Sequence, residues 1–253
     1  MKLSVVIIVK NEEEFIHDCL ESVKWADEVI LLDGGSIDKT LEIAKEYSVR
    51  IISQKEKKMD YAAWHNQGIE EAKYDWIFYV DADERVTPLL KEEVLKIKED
   101  DKYTAYAIPR RNFLLGRELR FGGWYPDYQM RLFEKAKLKN WEGGLHEHPI
   151  VDGLVGKFNN PLVHLQPEKI EPALEKSIKW SDFESKLLYD SKHPRMSWWR
   201  VLRMGLTTIF ERGIKNRGFQ DGTEGWIETI YQSFHTMIVY MKLWELQMLE
   251  KNN

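Results

Sequence analysis

Trp76-Ile77-Phe78-Tyr79-Val80-Asp81-Ala82-Asp83-Glu84 is the stretch on which the fold turns. Five aromatic or β-branched residues in a row predict a strand buried on both faces. The strand runs straight into acids at i and i+2, whose side chains share a face where the chain is extended. Two such carboxylates suit one hard divalent cation, which also takes water and phosphate oxygens. The plain alternative is a solvated strand end capping a helix, since Thr87-Pro88 opens the next one.

Working toward the N-terminus, Leu3 to Val9 has five β-branched residues in a row, Val5 to Val9, and reads as another strand buried on both faces. Asn11 is placed to cap a helix, with Glu12, Glu13 and Glu14 at its positive end. Phe15, Ile16, Cys19, Leu20 and Val23 follow at helical spacing. A strand over Glu28 to Leu32, a helix over Lys39 to Tyr47, a strand over Val49 to Ser53 and a helix over Asp60 to Ala72 complete the alternation. Strands alternating with helices predict an α/β, Rossmann-like half with a mostly parallel sheet. Beyond Glu99 the alternation stops. Short β-prone pieces follow at Thr104 to Ile108, Arg117 to Phe121 and Arg131 to Phe133, with a hairpin expected at Asp152-Gly153. From Glu168 onward the pattern is helical: Glu168 to Leu188, Ser197 to Lys215 and Gly222 to Glu250. The division expected is an α/β domain over 1–167 and a helical C-terminal region over 168–253.

Composition narrows the function classes. The 253 residues are 43% hydrophobic and 31% charged, which excludes a disordered chain. One cysteine, Cys19, excludes an internal disulfide. With 37 basic and 42 acidic residues the net charge is −5, which is no electrostatic footprint for nucleic acid, and none is expected as a partner. The run Val5 to Val9 is too short for a signal core, so no targeting segment is expected. The longest late uncharged run, Thr229 to Met241, has 13 residues, against the roughly 20 that a spanning helix needs.

Open parallel sheets bind ligands at the carboxyl ends of their strands. Three polar clusters sit at such ends: Lys10-Asn11-Glu12, Asp33-Gly34-Gly35-Ser36-Ile37-Asp38, and Asp81-Ala82-Asp83-Glu84. Gly34 and Gly35 admit close approach of a flat ligand, and Asp33 can accept a hydrogen bond from a nucleobase imide. No Walker lysine follows and the dinucleotide glycine pattern is absent. An EF-hand is excluded because Arg85 and Val86 stand where a ligand and glycine belong. A phosphatase of the Asp-x-Asp type is a minor reading, since Arg85 replaces the expected Thr or Val and the motif is far from the first strand.

A strand leading to Asn-Glu, then Asp-Gly-Gly-Ser-x-Asp-x-Thr, then Asp60 to Ala72 with Asn66, then Val-Asp-Ala-Asp-Glu resembles a family 2 glycosyltransferase of the GT-A fold. The resemblance covers residues 1 to about 165. Within that family the chain is most similar to lipopolysaccharide-core β-1,4-glucosyltransferases, through Gly122 to Phe133 and Leu145-His146-Glu147-His148. The resemblance implies that Asp33 contacts the base, Glu12 the nucleoside, Asp83 the metal and diphosphate, and Asp81 the sugar or ribose. It adds Val9, Asn11, Gly35, Asn66 and Ala82 to the nucleotide-sugar site. Arg131, with Arg110 and Arg111, suits phosphate, the plain alternative being exposed structural arginines. The family's tyrosine before Asn-Glu is replaced here by Val9-Lys10. Also implied is inverting transfer with Asp127 as base, Glu147 competing for that role, and a Mn²⁺ or Mg²⁺ cofactor bound by Asp83 and His146, with His164 as second choice.

The implied partners are a nucleotide-sugar donor, UDP-sugar favoured and glucose the favoured sugar, and a lipid-linked saccharide acceptor in lipopolysaccharide-core or other envelope glycan assembly. Alternatives are a protein or peptide glycosyltransferase of the same fold and a non-catalytic nucleotide-sugar-binding subunit. The tail bears on the acceptor. Between Lys192 and Arg217 seven basic residues face one acid, Glu211, interleaved with Trp198, Trp199, Leu202, Leu206 and Phe210. That composition suits a helix in a membrane interface, so peripheral contact at the cytoplasmic face of the inner membrane is expected of a cytoplasmic enzyme. The net six charges supply at most about 6 kcal/mol on an anionic surface. Packing on the catalytic body, with aliphatics inward, is the alternative. The last helix offers a further membrane face or the face of a homodimer.

Overall fold

The computed structural model describes residues 1–54, 60–98, 102–143, 147–166 and 169–251. They fall into two compact units, one of Met1–Arg110 with Asp127–Leu165, the other of Arg111–Pro126 with Gln166–Asn253. The expected division near residue 167 did not include the exchange of Arg111–Pro126 into the helical unit.

In the first unit, β1 (Leu3–Val9) is buried along its length and lies between two parallel neighbours. Those are β2 (Glu28–Asp33) and, across β1, β4 (Trp76–Tyr79), while β3 (Arg50–Ser53) extends the sheet beyond β2. Strand alternation splits β1 between two cores. Leu3, Val5, Ile7 and Val9 join Ile16, Cys19, Leu20 and Val23 of α1 (Ile16–Val23) on one face. Val6 joins Ile30, Leu32, Ile77, Tyr79 and Phe133 on the other, under α3 (Tyr61–Glu71). Helix α2 (Thr40–Ala44) follows β2. Asp60 caps α3 by accepting from Ala63 N at 2.9 Å. Gly68 lets this helix lie close on the sheet, since a Cβ there would stand 2.9 Å from Val6 Cγ1 and 3.0 Å from Tyr79 Cε1.

After β5 (Glu84–Val86) and α4 (Pro88–Leu95), capped by Thr87, the sheet turns mixed. Strand β6 (Tyr103–Leu114) is far longer than the piece read from sequence. The hairpin strand β7 (Arg117–Leu119) pairs with the last residues of β6. Strand β8 (Asp127–Glu134) runs antiparallel between β4 and β6. Strands β9 (Leu138–Glu142) and β10 (His148–Val151) form a separate pair. β11 (Leu154–Lys157) joins β6, and β12 (Leu162–Leu165) pairs with β5. The hairpin expected at Asp152-Gly153 is therefore corrected: the turn exists, but the strands it joins pair elsewhere.

The second unit holds α5 (Ile170–Asp190), α6 (Trp198–Thr208) continuing as a π-helical turn over Ile209–Lys215, and α7 (Gly222–Lys251). Ser177, Ser181 and Ser185 form a buried stripe on α5, and Ser177 Oγ lies 2.6 Å from His235 Nδ1 of α7. Gly205 brings α6 close to α7, where Ser233 Oγ donates to its carbonyl at 3.0 Å. The helices also hold the segment 111–126. Asp221 accepts from Arg120 N at 3.1 Å and Phe121 N at 2.8 Å, and Gly122 N donates to Asn216 O at 2.8 Å.

Candidate active site

Because β2, β1 and β4 are adjacent and parallel, the turns that follow them open on one edge of the sheet. The first two turns are laced together. Asn11 N donates to Ser36 Oγ at 3.0 Å, and Asn11 Oδ1 accepts from Ile37 N at 2.9 Å. Glu12 N donates to Thr40 Oγ1 at 2.8 Å and Glu13 N to Asp38 Oδ2 at 3.1 Å. Asn11 therefore does not cap its own helix as expected. It adopts φ 58°, α1 begins only at Ile16, and the asparagine side chain serves the neighbouring turn. Asp33 is buried and accepts from Gly35 N at 3.1 Å and Ser36 N at 3.0 Å, which fixes its carboxylate at the end of β2. Gly35 has φ 85° and open space where a Cβ would stand, while Val9 and Ala82 are buried and Val9 O accepts from Gly34 N at 2.9 Å.

At the end of β4, Asp81 and Glu84 grip one guanidinium. Arg131 of β8 pairs with Asp81, and its Nη2 stands 2.7 Å from Glu84 Oε1. Glu84 is 0% exposed and Arg131 7% exposed. Burial opposes ionisation of Asp81, but Arg131 with Arg110 behind it holds the carboxyl below its ordinary range. Burial pushes Glu84 up, opposed by the same two arginines. Arg131 was expected on phosphate; its guanidinium is engaged by the two acids. Arg110 likewise is held by Asp127, at 2.6 Å, with Gln129 Nε2 donating to the second Asp127 oxygen at 2.7 Å.

Asp83 Oδ2 lies 3.3 Å from His164 Nε2, brought there by the β5–β12 pairing of Glu84 with His164. His146, the first choice for the metal, lies outside the described residues. Among the described residues no group of three His, Cys, Asp or Glu stands at metal-ligand spacing. A carboxylate beside an imidazole nevertheless fits a divalent ion of the Mg²⁺/Mn²⁺ class, which keeps few protein ligands and completes its shell with water and substrate phosphates.

Asn66 does not face an open site. Its Nδ2 donates to Trp141 O at 3.0 Å and its Oδ1 accepts from Trp141 N at 2.7 Å, tying α3 to β9. The residues that sequence reasoning missed are Glu84 as a buried partner, and Tyr61 and His65 on α3. Burial first, then the carboxylates of Glu147, Asp81, Glu12 and Asp83, push the Tyr61 phenol up, so its hydroxyl feels the charge of four candidate acids. His65 is buried against Trp141 with ring centroids 4.1 Å apart, and burial pulls its pKa down to about 4, leaving a neutral imidazole. Their signal in the sequence was the capped helix start at Asp60, which brings the first turn of α3 to the strand ends.

The model of the family described as glycosyl transferase family 2 matches residues 4–149. The chain belongs to that family. Over its full length it is similar to the lipopolysaccharide core biosynthesis glycosyltransferase LpsC of Rhizobium meliloti (strain 1021), with 24% identity over 99% of this chain and 94% of that protein. A glycosyltransferase of Rickettsia bellii (strain RML369-C) is 27% identical over 98% of this chain and 87% of its own. Among solved structures, S. aureus TarS 1-349 in complex with UDP-GlcNAc superposes with a TM-score of 0.50 at 12% identity, covering 99% of this chain and 92% of that one. That likeness speaks to the fold: a GT-A α/β unit followed by helices. This family 2 member is accordingly a transferase of glycosyl groups. None of its described helices is long and apolar enough to cross a membrane.

Proposed function

We propose that this family 2 glycosyltransferase moves a hexose, glucose first among candidates, from a UDP-sugar to a lipid-linked saccharide with inversion, in lipopolysaccharide-core or related envelope glycan assembly. The observation that carries the reading is the convergence of Glu12, Asp33 and Asp81–Asp83 at one sheet edge, with Asp127 linked to that edge through Arg110 and Glu84. Asp33 and the laced turns bind the nucleoside. The acceptor oxygen attacks the anomeric carbon, the bond from that carbon to the diphosphate oxygen breaks, and the nucleoside diphosphate leaves with the electron pair. The acceptor proton passes to the Asp127 carboxylate, which Arg110 and Gln129 hold in place. Asp83 and His164 would hold a divalent ion, which supplies charge neutralisation for the departing diphosphate.

The acceptor assignment draws on the helical unit, where Trp198, Leu202, Leu206, Phe210 and Ile214 are exposed at four-residue spacing. Such a face, with Arg203 and Lys215 beside it, suits peripheral contact with anionic lipid. The direct test is mass-spectrometric detection of hexose transfer from a panel of nucleotide sugars to a core-type lipid-linked acceptor, with and without Mn²⁺. Transfer from no donor in the panel overturns the reading. Glu147→Gln abolishing turnover while Asp127→Asn retains it would move the base to Glu147.

A further inference from the structure

Asp127, Arg110, Glu84, Arg131 and Asp81 form a line of alternating charge within the sheet unit. Arg110 Nη2 is 2.6 Å from Asp127, Arg110 Nη1 is 3.5 Å from Glu84 Oε1, and Arg131 Nη2 is 2.7 Å from the same oxygen. Arg131 then pairs with Asp81. Glu84 is the only member that meets both arginines among the described contacts, and its other oxygen accepts from Asp81 N at 3.0 Å. It is wholly buried, so it touches neither donor nor acceptor.

An ion pair buried like Glu84–Arg131 adds little stability over apolar side chains of the same volume. Here it even leaves Arg131 Nε buried without a hydrogen-bond partner. The arrangement is better matched to holding carboxylates at fixed places than to holding the fold together. We propose that Glu84 is a positioning residue: through Arg110 it sets the Asp127 carboxylate on the acceptor side, and through Arg131 it sets Asp81 on the donor side. The proposal rests on the glycosyltransferase reading above for its functional meaning, and on geometry for its content. It also reassigns Arg110 and Arg131 from phosphate ligands to links between acids.

Glu84→Gln preserves volume while breaking the pattern. An amide in this place has one oxygen for two demands: the guanidinium pair on one side and the Asp81 N–H on the other. Whichever way it turns, a donor faces a donor. A displacement of reacting groups by about 1 Å lowers turnover on the order of 10²-fold. Glu84→Gln is therefore expected to lower kcat about 10²-fold, with the donor KM changing less than about threefold because the nucleoside turns have their own hydrogen bonds. In an Asp127→Asn background the same change is expected to lower kcat only about 10-fold, since one of the two groups it positions is already gone and Asp81 remains.

Equal fold-losses in both backgrounds, or wild-type kcat in Glu84→Gln, would overturn the proposal. A crystal structure of Glu84→Gln supplies a readout independent of activity. Displaced Asp127 and Asp81 carboxylates on an intact sheet support positioning, and unchanged carboxylates refute it. Should Glu84→Gln fail to fold, Glu84→Asp is read the same way, as it retains the charge and withdraws it by one methylene. A wild type that transfers no sugar, with the carboxylates displaced in the variant, defeats the glycosyltransferase reading and not this one.

Discussion

The sheet unit and the helical unit solve opposite problems. In the first, large apolar side chains such as Phe78, Tyr79 and Phe133 fill both faces of the sheet while Glu84 and Arg131 are buried with them. In the second, the compact cluster around Met196, Val201 and Leu243 is small, and Trp198 is left 79% exposed and Leu206 57% exposed. Burying charge is expensive and is tolerated where a polar reaction needs fixed groups. Exposing hydrocarbon on this scale marks a surface made to meet something apolar. The contrast is one of composition: fixed charge at the sheet edge, exposed hydrocarbon on the helices.

Four experiments can break or sharpen this contrast. The largest effect is expected at the sheet edge, where Asp127→Asn should lower transfer about 10³-fold in a steady-state assay, as general bases contribute roughly 10² to 10⁴. The next lies in opposite pH responses, read by hydrogen exchange resolved to each unit. Burial lowers His65 from an ordinary 6.5 to about 4, so unfolding takes up a proton between those values and the sheet unit loses stability as pH falls through them. Burial raises Glu228 of α7 from 4.5 to about 7, so its contribution is full below 4.5 and is lost as pH rises through 7. Each amounts to about 3 kcal/mol across its window. Glu228→Gln should flatten the helical unit's slope alone; parallel slopes in both units would erase the distinction.

Third, Leu206→Glu with Phe210→Glu should weaken flotation with anionic vesicles about 10²-fold, at about 1.5 kcal/mol or more per buried side chain, while transfer to a lipid-free acceptor mimic is unchanged. Point substitutions are preferred to truncation of the tail, because Asn216 and Asp221 hold Gly122 and Phe121. The smallest effect compares two glycines by thermal melting. Gly68→Ala meets Val6 and the Tyr79 ring in a tight core and should lose about 2 kcal/mol. Gly205→Ala meets chiefly the flexible Met237, 2.6 Å from the Sδ, and should stay within about 0.5 kcal/mol as helix propensity offsets the shift.

What the sequence disclosed follows from how local each signal was. β1 reads at its observed bounds because a stretch with six aliphatic residues in seven needs no distant partner to be recognised. The α/β alternation through β4 and the three tail helices are legible for the same reason. The reach of β6 past Ile108 is not, since Arg110 and Asn112 are strand residues only because β8 and β7 pair with them. The candidate acids stand in short motifs and are legible from the residues alone. Their pairing with arginine is not legible, because Glu84 and Arg131 are 47 residues apart and only an antiparallel β8 beside β4 brings them together. Which way the aliphatic stripe of α6 faces is not legible either: Leu202 and Leu206 are exposed because Val201 and Gly205 occupy the side toward α7.

The stitching of the turn after β1 to the turn after β2 has a bearing on engineering. Each loop supplies backbone donors that the other's side chains satisfy, so neither keeps its shape if its counterpart is altered. A change of nucleotide preference would thus be reached by transplanting both loops from one parent as a matched set, and single-loop chimeras would inherit a pocket belonging to neither parent.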